Sequence, residues 1–152
     1  PAMRLKELSA DPIKALNKLS EYLAVRDHSK LELKQKLARR FEAGAIDEAL
    51  QQAENSGWIK KPEELAQLFT DQLLRRGKGP RYIQGQLRRK GLPVIPLDDE
   101  SQVEHCQAAL EQKYPEWRQM SFKERQKPLR FLVGRGFMES IILKVLRNSE
   151  NQ

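Results

Sequence analysis

Apolar residues in this chain recur three and four positions apart, the spacing of a buried helical face. No segment alternates with period two for long enough to make a strand. Residues 4–10 carry little periodicity and are expected to fray. Asp11-Pro12 then starts a helix, with Asp as N-cap and Pro in the first turn, and Leu16, Leu19 and Leu23 form its stripe as far as Arg26. Ser29-Lys30-Leu31-Glu32 has the form of a capping box and opens a basic helix to about Phe41, with Leu33, Leu37 and Phe41 inward. Gly44 and Asp47 set off a third helix, from Asp47 to Asn55, that packs through Ala49, Leu50 and Ala53. Ser56-Gly57 ends it, and Trp58-Ile59 are expected to plug the space between helices.

Pro62-Glu63-Glu64 begins a fourth helix, whose first-turn acids suit the helix dipole and whose stripe is Leu65, Leu68, Phe69 and Leu73. Gly77 stops it, Gly79-Pro80 restarts the chain, and Gly91 closes the fifth helix, in which Ile83 and Leu87 face the core. Gly85 lies inside that helix, as a site of close approach or as a tolerated glycine. Leu92-Pro93-Val94-Ile95-Pro96-Leu97 reads as an extended connector. Asp98, Asp99 and Glu100 open a sixth helix with Val103, Cys106 and Leu110 on its apolar side, ending at Tyr114-Pro115. A second capping box, Ser121 to Glu124, leads the seventh, where Pro128 demands a kink or a late start. Gly136 ends it, and Met138, Ile141, Ile142, Val145 and Leu146 trace the eighth. The predicted fold is all-α.

Three of these helix pairs share one frame. Sliding the chain against itself aligns Leu23, Leu73 and Leu132, then Arg26, Arg76 and Arg135 at helix ends, then Leu33, Ile83 and Ile142, then Leu37, Leu87 and Leu146. The turns between differ: Asp27-His28-Ser29, Gly77-Lys78-Gly79 and Gly136-Phe137-Met138. An aligned arginine, turn and apolar stripe points to tandem helical repeats in an elongated array. The division expected is a flexible N-terminus over 1–10, a first repeat with the lead helix of the second over 11–57, the rest of the second over 58–97, and a third over 98–152.

Charge adds a partner class. The net charge of the 152 residues is +7, with 32% charged and 39% hydrophobic residues, so acidic partners are expected. The excess concentrates between Gln72 and Leu97, where Arg75, Arg76, Lys78, Arg81, Arg88, Arg89 and Lys90 stand with no Asp or Glu among them. The second helix adds Lys34, Arg39 and Arg40. Together with Arg26 and Arg135, these are the candidate contacts for a protein partner or nucleic acid.

Other chemistry is not suggested. There is no P-loop, GxSxG or HExxH motif, and Gly77-Lys78-Gly79 follows no strand. His28 reads as a solvated turn residue, and two histidines and a single Cys106 make no zinc pattern or internal disulfide. No catalytic residue, metal ligand or cofactor is expected. Nothing resembles a membrane span or signal peptide, so a reducing cytoplasm is the expected setting. Pro1-Ala2 ahead of Met3 reads as a cloning remnant.

Three segments, YLAVRDHSKLELKQKLARR (Tyr22 to Arg40), LLRRGKGPRYIQGQLRRKG (Leu73 to Gly91) and RFLVGRGFMESIILKVL (Arg130 to Leu146), resemble in order the characteristic segments of the RecX family. The resemblance runs from about Leu16 to Leu146. It implies tandem three-helix repeats in a curved, elongated monomer lying in the groove of the RecA filament on DNA. RecX proteins regulate, mainly by inhibition, that recombinase in recombination, DNA repair and the SOS response, without chemistry of their own. A second class stays open, a direct DNA binder in which Leu65 to Arg76 and Arg81 to Lys90 form a helix-turn-helix. Binding to single-stranded DNA with and without RecA separates the two.

Overall fold

A computed structural model describes residues 7–148; residues 1–6 of the expected flexible N-terminus lie outside that range. The helices are α1 (Pro12–Val25), α2 (Lys30–Leu37), α3 (Ala43–Asn55), α4 (Pro62–Arg75), α5 (Pro80–Arg89), α6 (Asp99–Lys113), α7 (Gln126–Arg135) and α8 (Glu139–Asn148), with a short 3-10 helix at Trp117–Gln119. Among the described residues the only extended pairing is an isolated parallel bridge between Ser9 and Phe41. Ser9 donates its N–H to the Arg40 carbonyl and accepts from the Glu42 N–H, each at 2.8 Å. This position, in the stretch expected to fray, is therefore tied down.

The chain divides into two compact units, Pro1–Leu65 with Lys90–Leu92, and Ala66–Arg89 with Pro93–Gln152. In the first, α1, α2 and α3 bury Ala15, Leu19, Leu33, Leu37, Ala49 and Leu50 in one core. Asp11 caps α1 through Ile13 N–H, and the Ser29–Glu32 capping box forms with both of its hydrogen bonds. The third helix starts at Ala43, four residues before the position expected, because Glu42 serves as its N-cap without a side-chain hydrogen bond and Gly44 is accepted in the first turn. It packs into the same core as α1 and α2 through Ala45, Ile46, Ala49, Leu50 and Ala53. Ile59 packs against that core, but Trp58 is 45% exposed and plugs nothing.

In the second unit, Cys106, Leu110, Trp117, Leu132, Phe137 and Ile142 centre the core. The Ser121–Glu124 capping box also forms both bonds. Pro128 produces a late start and not a kink: α7 begins at Gln126, so the proline sits in a first turn where its missing N–H costs no bond. Met138 precedes α8 and is 40% exposed, so it is not part of the apolar face drawn by Ile141, Ile142 and Val145.

The repeat frame is visible as burial. Leu33, Ile83 and Ile142 are each at most 2% exposed, and Leu37, Leu87 and Leu146 are buried with them. Two of the three turns share a backbone as well. Helix α4 ends with Lys78 N–H donating to Leu73 O and Gly77 N–H to Leu74 O. Helix α7 ends with Phe137 N–H to Leu132 O and Gly136 N–H to Val133 O. Gly77 (φ +79°) and Gly136 (φ +103°) hold the left-handed position that this termination requires. Helix α1 has no glycine there and leaves through an extended Arg26.

Candidate functional site

The three aligned arginines meet different fates, and a single neighbouring position decides them. Three residues past the N-cap of α2 stands Glu32; the equivalents in the other frames are Tyr82 and Ile141. In the first unit Arg26 therefore finds a carboxylate, its Nη2 donating to Glu32 Oε2 at 2.6 Å and its Nη1 to the Asp27 carbonyl at 2.7 Å. Lys90 donates to the same Glu32 oxygen at 2.9 Å. Burial on its own would raise the Glu32 carboxyl, but the hydrogen bonds from Arg26, Lys90 and Ser29 outweigh it and hold the group down at about 2.

His28 belongs to the same cluster. It is 2% exposed, which corrects its reading as a solvated turn residue. Its Nδ1 lies 3.0 Å from the Arg26 carbonyl and its Nε2 2.7 Å from Lys36 Nζ. A neutral ring satisfies both contacts, with Nδ1–H donating and Nε2 accepting. Burial lowers its pKa, and the positive charges of Arg26 and Lys36 lower it further against the raising effect of the carbonyl bond. Arg26 and Lys90, expected as partner contacts, are thus engaged inside the first unit. Lys34 stands 3.7 Å from Asp47 on the surface, while Arg39 and Arg40 are exposed.

The second unit treats its arginines differently. The turn after α4 docks onto the turn after α7: Gly79 N–H donates to Arg135 O at 2.8 Å and Arg81 N–H to Gly136 O at 3.0 Å. The C-terminal carbonyls of α7 thereby satisfy the N-terminal donors of α5. The approach is close enough that a Cβ on Gly79 would stand 2.4 Å from the Gly136 carbonyl carbon. This contact fixes the helix ends that carry Arg75, Arg76 and Arg135 around one open cleft of about 320 Å³. Lys113, from the last turn of α6, joins them, and Gln112 and Phe131 complete the wall.

No carboxylate lines this cleft among the described residues. The Arg135 guanidinium sits 5.2 Å from the centre of the Phe131 ring, and its Nε is buried with no hydrogen-bond partner. Lys113 was not among the sequence candidates. It lies in a helix with its own acids, and only the position at a helix C-terminus hinted at it. Of the other candidates, Lys78 lies 4.6 Å from the centre of the Tyr82 ring, and Arg81, Arg88 and Arg89 are exposed along α5. The seven-cation stretch is therefore divided: Arg75 and Arg76 line the cleft, Lys78 lies beside Tyr82, Arg81, Arg88 and Arg89 are exposed along α5, and Lys90 binds Glu32.

Repeated helical frames, two glycine-capped turns locked together and a cleft lined by Arg75, Arg76, Lys113 and Arg135 define a helical-repeat protein. Comparison with known proteins is in agreement. Residues 15–52 match the first three-helix domain of RecX and residues 99–146 match the third. The chain is 30% identical over 131 residues to regulatory protein RecX of Haemophilus ducreyi, covering 81% of this chain and 84% of that protein. It is 27% identical over 141 residues to regulatory protein RecX of Legionella pneumophila, covering 88% and 93%. The crystal structure of RecX from Lactobacillus salivarius shares the fold, with a TM-score of 0.75 over 93% of this chain and 98% of that one at 21% identity. This chain belongs to the RecX family of regulatory proteins.

Proposed function

We propose that the chain binds the RecA recombinase filament assembled on DNA and restrains its ATP hydrolysis, strand exchange and coprotease activities, as a cytoplasmic monomer and without chemistry of its own. The observation that carries this reading is the carboxylate-free cleft of Arg75, Arg76, Lys113 and Arg135, in a chain of this family. Unlike Arg26, these cations have no acidic neighbour on the cleft wall, so an anionic partner is what they suit. The exposed Arg81 and Arg88, seven residues apart and so on one face of α5, extend the contact. Helices α4 and α5 stand for the middle repeat in this reading.

The helix-turn-helix alternative is the weaker one. A recognition helix offers its N-terminal residues to the bases, whereas the first donors of α5 are engaged with the carbonyls of Arg135 and Gly136. Lys90, at the other end of that segment, is held by Glu32. Fluorescence anisotropy with labelled single-stranded DNA, bare and coated with RecA, tests the choice. Tighter binding to the coated strand is expected. Equal affinity for both would favour the direct DNA binder.

A further inference from the structure

Four cations gather at the ends of three helices in the second unit, and helix dipoles are the first thing to consider as their counter-charge. Arg75, Lys113 and Arg135 each lie in the last turn of α4, α6 and α7, and Arg76 follows directly on α4. Each helix C-terminus offers a partial charge of about −0.5. Three such ends offset less than half of four full charges, leaving a surplus of about 2.5. A single carboxylate from a protein surface would leave much of that surplus in place. Successive phosphates of a nucleic-acid strand would neutralise it.

Hydrogen bonding points the same way. A buried donor without an acceptor is costly, and Arg135 Nε is one. The guanidinium lies 5.2 Å from the centre of the Phe131 ring, which places its charge on the cleft wall, and a phosphate is an acceptor suited to an arginine fork. Gln112 lines the same cleft. The docked glycines keep the two arginine-bearing turns in register, so the charges are arranged before any ligand arrives. By contrast, Arg26 occupies the equivalent position in the first frame and is consumed by Glu32 at 2.6 Å.

We infer that this cleft is a seat for consecutive phosphates of a nucleic-acid strand, gripped by Arg76, Arg135 and Lys113, and that the aligned arginine of the first frame has no part in it. The inference rests on the reading of the chain as a filament regulator and names what one surface of it touches. Affinity of the full chain for a labelled single-stranded oligonucleotide, measured against salt concentration, tests it. Arg76→Gln/Lys113→Gln, both exposed positions, should weaken binding at least tenfold and flatten the log–log salt slope by about 1.4 to 2. Lys14→Gln/Lys61→Gln, both exposed positions of the first unit, removes the same charge and should leave the slope near that of the wild type.

Arg135 is half-buried, so its role is read without replacing it: its Nε–H resonance should shift on adding inorganic pyrophosphate, while those of Arg39 and Arg40 stay in place. Equal losses in the two double variants, or pyrophosphate shifts of similar size at all arginines, would overturn the assignment by showing diffuse charge attraction only. So would a cleft variant that keeps oligonucleotide affinity but loses the RecA-coated strand, since the cleft would then read an acidic protein face. A wild-type chain that binds the oligonucleotide through the cleft yet has no effect on RecA would instead sink the regulator reading and leave this site standing.

Discussion

Replacing Glu32 by glutamine removes one charge from the first unit and little else. The amide can still accept from Ser29 N–H, as a capping box allows, so the start of α2 is preserved. What is lost is the anion shared by Arg26 at 2.6 Å and Lys90 at 2.9 Å. The carboxylate is 12% exposed, so solvent screens it weakly. Its pKa falls from 4.5 to about 2, and at about 1.4 kcal/mol per unit the ionised form stabilises the fold by about 3 kcal/mol. Because the folded pKa is the lower one, that contribution is complete above about pH 4.5 and disappears as pH falls toward 2.

Urea denaturation at pH 7 and at pH 2.5, with amide exchange in α1 to α3 reporting on this unit, measures the effect. At pH 7 Glu32→Gln should be less stable by about 3 kcal/mol. Near pH 2.5 the gap should shrink to below about 1 kcal/mol. A difference under about 1 kcal/mol at pH 7, or a gap indifferent to pH, would refute Glu32 as the electrostatic centre of the unit. His28 acts in the same direction over a higher window: its lowered pKa means that protonation, below its ordinary 6.5, opposes folding, so His28→Gln should flatten the stability profile between pH 5 and 7.

Other positions give sharper contrasts. Gly79→Ala drives a Cβ into backbone atoms of Gly136 and Phe137 and should cost about 2–4 kcal/mol through overpacking and lost turn–turn hydrogen bonds, whereas Gly85→Ala, with nothing within 4 Å, should stabilise α5 by up to about 1 kcal/mol; thermal melts of the two variants decide. Cys106 is fully buried and its thiol is pushed up to about 12 by burial, so at pH 8 it should react with an aromatic disulfide reagent orders of magnitude more slowly than after unfolding. Cys106→Ala should keep full activity toward RecA with a small loss in melting temperature.

Much of this molecule could be read from residue spacing, because the repeat writes its core three times. The aligned positions Leu33, Ile83 and Ile142 are buried as a set, and Gly77, Gly91 and Gly136 hold the left-handed turns their placement required. Local rules failed where a distant partner decided the outcome. His28 looks polar and exposed in a turn, yet Tyr22 and Lys36 enclose it. Glycine at position 44 reads as a break, but a first helical turn tolerates it. The same limit applied to the basic stretch. Sequence alone joins Lys90 to Arg75, while the fold sends one to Glu32 and the other to a cleft with Lys113. Charge density was legible; which charges are already spoken for was not, since that depends on carboxylates up to 58 positions away.

DNA-dependent ATP hydrolysis by RecA, followed while the chain is added to filaments on single-stranded DNA, tests the central claim most directly. Wild-type chain should suppress hydrolysis in proportion to its occupancy of the filament, and Arg81→Glu/Arg88→Glu, both on the exposed side of α5, should suppress it poorly while remaining folded. Hydrolysis that continues unchanged at saturating wild-type chain would contradict the account.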